Sequence, residues 1–236
     1  MQEQRPDGTI YLMDKPLGWS SFQVVKKVKW TTKAKRVGHA GTLDPLATGL
    51  LVICTEKQTK IISTIQDAEK EYTGTIHLGA VTDSYDAETE PRDFRETGHV
   101  TPELLNEAVR QFTGQISQIP PMHSAIKLNG QRAYKAARRG EQLELKARQI
   151  EIREFEITRF ALPELDFRVV CSKGTYIRSL AHDLGQVLNT GAYLTALRRT
   201  RIGSHRIENA WTIGDLEQHF PRPIPPLKPA EPGENS

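Results

Sequence analysis

The 236-residue chain reads as an α+β protein built on a mainly antiparallel sheet flanked by helices. Two observations carry that reading. Segments 71–78, 149–160 and 165–172 alternate apolar and polar residues, so each lays one apolar face on a core. Helix-period segments lie between the strands, but not in the strict strand–helix–strand order of a parallel sheet. The length allows a substantial core, in one large domain or two modest ones. Formal net charge is only +3, so the distribution of charge is more informative than its sum. No run approaches the roughly 18 apolar residues of a membrane span. The N-terminal stretch lacks the apolar core of a secretory signal, so a cytoplasmic location is expected. Cys54 and Cys171 lie in apolar runs and read as buried thiols.

In chain order, TIYLM at 9–13 is a short strand. Ser20 or Ser21 can cap a helix over 22–30, with Phe22, Val25 and Val28 as its apolar stripe. Lys26, Lys27 and Lys29 take its other face, and Lys33, Lys35 and Arg36 extend the basic run. Such a run reads either as a solvated face or as one turned to phosphate. The apolar segment 49–55 is a buried strand, 56–65 a helix, and 83–90 (DSYDAETE) an exposed acidic loop. Thr101 and Pro102 open a helix that Gly114 stops. Segment 119–140 is polar, basic and bounded by prolines, so it reads as a surface excursion or a clamp on nucleic acid. Tyr134 is available there for stacking. A helix over 176–188 follows, capped by Thr175, then a strand over 192–202 and a short helix over 211–220. The proline-rich end, 221–236, reads as a disordered tail.

The stretch 37–51, VGHAGTLDPLATGLL, carries the chemistry. Gly38, Gly41 and Gly49 surround one acid, Asp44. Pro45 biases Asp44 to an extended conformation, so the acid belongs to a loop. That loop is either a tight turn or a presented site. Arg178 falls at a helix start, the unfavourable end for a cation, and an anionic partner would explain it. A carboxylate beside an arginine stays ionised, which suits a nucleophile. Tyr72 and Tyr176 suit a base swung out of its stack, though each also reads as core. There is no phosphate-binding glycine loop, no cysteine pair and no evident Ser-His-Asp order, so neither a cofactor nor a metal is called for. A glycosidase-like hydrolase would usually need a second carboxylate, and only Asp44 sits in a recognisable block. An RNA-binding module would leave Asp44 and Arg178 without a role.

Four blocks, DKPLGWSS, GHAGTLDPLATGLL, PPMHSAIKLNGQRAY with AARRG, and CSKGTYIRSLAHDLG, resemble the TruB family of tRNA pseudouridine-55 synthases, in the family's order over about residues 9–205. The resemblance implies the pseudouridine synthase fold, a bisected antiparallel sheet with flanking helices. It also implies isomerisation of the T-loop uridine of tRNA without a cofactor. By the resemblance, Asp44 is the catalytic carboxylate and Arg178 its partner. Tyr72 stacks on the flipped uracil, Tyr176 lines the pocket, and Leu197 matches an apolar pocket residue. His39 enters the T loop. Lys15 belongs with the RNA-side residues, mainly as support for the catalytic loop. Arg132 and Arg138 sit in a basic insertion at about 120–148 that closes over the T arm. The catalytic domain is expected over 1–206 and a short extension over 207–236. Only thirty residues follow Arg206, so no complete RNA-binding domain of the PUA type is expected there. The expected partner is the T stem-loop of tRNA, met by a monomer with no obligate protein partner.

Overall fold

The computed structural model describes residues 7–124, 127–128, 131–132, 139 and 145–220. Its centre is a sheet built from β1 (Ile10–Lys15), β2 (Val37–Ala40), β3 (Ala47–Thr55), β4 (Lys70–Leu78) and β5 (Gly114–Gln118). After a separate two-stranded hairpin, β6 (Lys127–Leu128) with β7 (Gln131–Arg132), the sheet is completed by four more strands. These are β8 (Arg148–Ala161), β9 (Glu164–Cys171), β10 (Ala192–Ile202) and β11 (His205–Arg206). The main order is β1-β3-β10-β4-β9-β8-β5, with β2 paired to β3 and β11 to β10.

Every pairing between the named strands is antiparallel except β3 with β10, which run parallel over three rungs: Leu197–Ala47, Arg198–Thr48 and Arg199–Gly49. This short seam bisects the sheet. Gly49 makes it possible, because a Cβ there would stand 2.3 Å from the carbonyl oxygen of Arg199. On one side of the seam, Ile76, Ile152, Leu165, Phe167 and Val169 pack beneath α3 (Pro102–Arg110) and α4 (Ile177–Val187). On the other, β3 is buried on both faces, which accounts for its unbroken apolar run. One face meets α1 (Ser21–Thr32) and α5 (Ile213–His219). The other meets α2 (Ile62–Asp67).

Local chemistry explains the element ends. Ser20 caps α1 in a reciprocal box with Gln23. Thr101 accepts from the backbone N–H of Leu104, and Pro102 opens α3. Four expectations change. The helix over 56–65 is a 3-10 turn, Glu56–Ile61, followed by α2. α1 buries Ser21, Val24, Val25 and Val28, and leaves Phe22 61% exposed, so the stripe is rotated from its sequence reading. The acidic segment 83–90 is not a free loop: Ser84 and Asp86 are buried, and the hydroxyls of Thr82 and Ser84 donate to the Asp86 carbonyl. α4 is not capped by a side chain, and the Thr175 hydroxyl instead donates to the Ser172 carbonyl. The tail at 221–236 lies outside the described residues.

Candidate active site

Asp44 stands in the loop that enters β3 at the seam, and two buried cations and a buried serine hold that loop. Lys15, fully buried, donates to the carbonyls of Pro16, Trp19 and Pro45 at 3.0, 2.5 and 3.3 Å. Arg199, 1% exposed, donates to the carbonyls of Gly41 at 3.0 Å and Leu50 at 2.8 Å, tying the start of the loop to β3. Ser21, at the start of α1, bonds the N–H of Leu43 at 2.8 Å and its carbonyl at 3.1 Å. A carboxylate held this way is presented by a fixed scaffold.

Arg178 closes the site from α4. Its Nε lies 3.0 Å from Asp44 Oδ2 and 3.6 Å from Asp86 Oδ2. Its two Nη atoms donate to the carbonyls of Ser84 at 3.0 Å and His123 at 2.9 Å. The guanidinium is therefore oriented on every side, and the anion expected beside it at the helix start is present. Asp86 supplies a second carboxylate, which segment 83–90 gave no reason to place here.

The Asp44 side chain keeps 42% of its surface open, yet it lies within walls that strip away much of its hydration. Burial raises its pKa above the usual carboxylate value. Arg178 opposes that rise, Asp86 and Glu88 reinforce it, and Lys15 opposes it more weakly. The expectation that the neighbouring arginine keeps the carboxylate ionised is therefore only part of the balance: Arg178 works against desolvation and two neighbouring acids. The Lys15 ammonium is pushed down to about 8, chiefly by burial, with Asp44 opposing.

The other sequence candidates divide by place. Leu197 on β10 lines the recess in front of Asp44, together with Leu46, Asp86 and Arg178. That recess measures about 20 Å³, room for one water and not for a uracil ring. Tyr72 on β4 pairs in register with Arg199 and is 7% exposed, so it forms the floor beneath the loop. Burial raises its phenol pKa. Tyr176 precedes α4, half-buried, with its backbone held by the Gln118 side chain at 2.8 and 3.1 Å. His39 on β2 is half-buried, and burial lowers its imidazole pKa. Lys15 is enclosed, so it supports the loop rather than displaying a charge to phosphate. Lys26, Lys27 and Lys29 do not share one outward face: Lys27 is half-buried and paired with Glu217 of α5. Arg132 lies on β7, and Arg138 lies outside the described residues.

Sequence reasoning missed Arg199, Asp86 and Ser21 as parts of the site. Nothing local set Arg199 apart from Arg198 and Arg201 in the same strand. Asp86 was hidden by its acidic neighbours Asp83, Glu88 and Glu90, all of which are exposed while it is not.

Residues 29–177 match the family model for the TruB family pseudouridylate synthase N-terminal domain. Residues 178–222 match that for the tRNA pseudouridylate synthase B C-terminal domain. The chain is 55% identical over 223 residues to a Flavobacterium johnsoniae protein named tRNA pseudouridine synthase B, covering 92% of this chain and 97% of that one. A Thermobifida fusca protein of the same name is 46% identical over 222 residues, with 91% and 75% covered. Among solved structures, a chain of a Cbf5-Nop10-Gar1 complex is similar, with a TM-score of 0.71 and 30% identity over 91% of this chain. This chain spans 55% of that one, about half its length.

Proposed function

The chain belongs to the TruB family of pseudouridylate synthases, and on that premise we propose that it converts uridine 55 in the T loop of tRNA to pseudouridine. The observation that carries the proposal is the Asp44–Arg178 pair, held at the seam by buried cations. The reaction breaks the bond from ribose C1′ to uracil N1 and joins C1′ to C5. The C5 proton leaves to solvent and N1 gains one, so nothing else is consumed. Ionised Asp44 initiates it by adding to C1′, by adding to ring C6, or by taking the 2′ proton. A poorly hydrated carboxylate is more reactive in each role than one fully solvated, and Arg178 keeps it charged.

The uridine must leave the T loop to reach this recess, at a cost of a few kcal/mol. His39 offsets part of that cost by filling the space the base vacates. Its depressed pKa favours the neutral ring, which enters a base stack without desolvating a charge. The flipped uracil widens the recess and lies between Tyr72 beneath, Leu197 and Tyr176 at the sides, and Asp44. We assign the enzyme to the cytoplasm, as a monomer that needs no cofactor and no obligate protein partner.

The test is incubation with T-stem-loop RNA tritiated at uracil C5, followed by digestion and nucleoside analysis. The expected result is tritium release with stoichiometric pseudouridine. Asp44→Ala should bind the RNA yet lower release by more than about a thousandfold. Release near the wild-type rate would remove Asp44 from the chemistry. Free uracil in place of pseudouridine would replace isomerisation by hydrolysis, with Asp86 as the second carboxylate.

A further inference from the structure

From Lys15 to Leu43 the chain contains seven lysines and arginines and no acid. α1 occupies the middle of that stretch. Its inner face, Ser21, Val24, Val25 and Val28, is buried against β3 and α5. Its outer face carries Phe22, Lys26, Lys29, Trp30 and Lys33, all exposed and spaced to fall in one row. Phe22 and Trp30 are 61% and 52% exposed, and the Lys26 ammonium sits 4.7 Å over the Phe22 ring. Lys27 leaves this row, pairing with Glu217, with its ammonium 5.7 Å over the Trp30 ring.

A helix face that merely meets water mixes acids with bases at i,i+4 spacing, because like charges at that spacing destabilise the helix. This row has bases only, and it adds two large aromatic rings that gain nothing from water. A phosphate backbone relieves the mutual repulsion of the lysines, and a base or ribose covers an aromatic face. The row also starts at the active site: Ser21, one residue before Phe22, bonds Leu43 beside Asp44. At about 1.5 Å per residue, Trp30 lies roughly 12 Å farther along the helix than Phe22.

We propose that the outer face of α1 is a second RNA surface, on which Lys26 and Lys29 hold phosphates and Trp30 stacks a nucleotide. It rests on the proposed activity only for the identity of the RNA, a tRNA. The seating of α1 that leaves Phe22 exposed creates this surface, and Lys27, paired with Glu217 and 5.7 Å from the Trp30 ring centroid, borders it from the α5 side.

The experiment measures tRNA affinity from about 50 to 200 mM salt for the wild type, Lys26→Gln with Lys29→Gln, Trp30→Ala and Trp30→Phe. The double variant should flatten the slope of log affinity against log salt by about 1.5. Trp30→Ala should weaken binding about tenfold, and Trp30→Phe should recover most of that loss because it keeps a ring. Unchanged affinity and slope in both would overturn the surface as an RNA site and leave it to a protein partner. Equal weakening by Trp30→Ala and Trp30→Phe would overturn the stacking role. Wild-type protein that binds tRNA through this face yet forms no pseudouridine would uphold the surface and overturn the activity.

Discussion

The Asp44 loop and the outer face of α1 lie next to each other and are both dense in cations, yet they use them in opposite ways. Around the loop, Lys15, Arg178 and Arg199 are at most 5% exposed, and their donors meet backbone carbonyls and carboxylates. On α1, Lys26 and Lys29 project into solvent. A buried cation must be satisfied inside the protein, so it becomes a bracket for the chain around it. An exposed one costs little and remains available to an external anion. The loop is thereby made rigid enough to aim a carboxylate, while the helix stays adaptable enough to follow a backbone.

The contrast is broken most forcefully at Arg199. Arg199→Met removes the donor shared by Gly41 and Leu50 and should cost about 3 kcal/mol of unfolding free energy in urea titration. Lys26→Gln should stay within about 0.5 kcal/mol of wild type. Equal losses would show that the two sets of cations are not different in kind.

The pH dependence of stability sharpens the comparison. Lys15 titrates near 8 in the fold and at its ordinary 10.5 when unfolded. Between these values the unfolded chain binds the extra proton, so stability rises with pH. Lys70, also pushed down to about 8, acts in the same direction. Cys54 and Cys171, pushed up to about 11 from 9, oppose it above pH 9. The rise should therefore show from pH 8 to 9, and Lys15→Met should remove about half of it. Lys29→Gln should leave that slope alone. An unaltered slope in Lys15→Met would mean that the enclosed ammonium keeps its proton.

A smaller effect is expected at Asp86. Activity requires ionised Asp44, so kcat/KM climbs with pH through the raised pKa of that group. Asp86→Asn removes a neighbouring negative charge and should move this acid limb to lower pH. A limb that stays in place would show that Asp86 orients Arg178 without influencing the ionisation of Asp44.

Much of the frame was legible in the chain. The strand over 192–202 has the bounds expected, and Ser20, Thr101 and Pro102 open helices where their chemistry says they should. The unfavourable helix end called for an anion beside Arg178, and the family resemblance named Asp44 as that anion. Leu197, an apolar residue with no local distinction, reaches the recess because β10 runs beside β3 at the seam. Asp86 and Arg199 were not legible, because a charged residue carries no local mark of being buried. Phe22 was misplaced for a related reason: one apolar stripe two residues wide fits several rotations of a helix.

The sequence by itself determined where strands alternate, where helices begin, and that one acid sits in a glycine-rich loop. Each of these depends on near neighbours in the chain, on side-chain period, capping groups and backbone freedom. The tertiary structure alone decided which cations turn inward and which outward. That choice depends on which distant backbone oxygens come within reach, and those are set by the parallel seam of β3 and β10 and by the seating of α1 against α5.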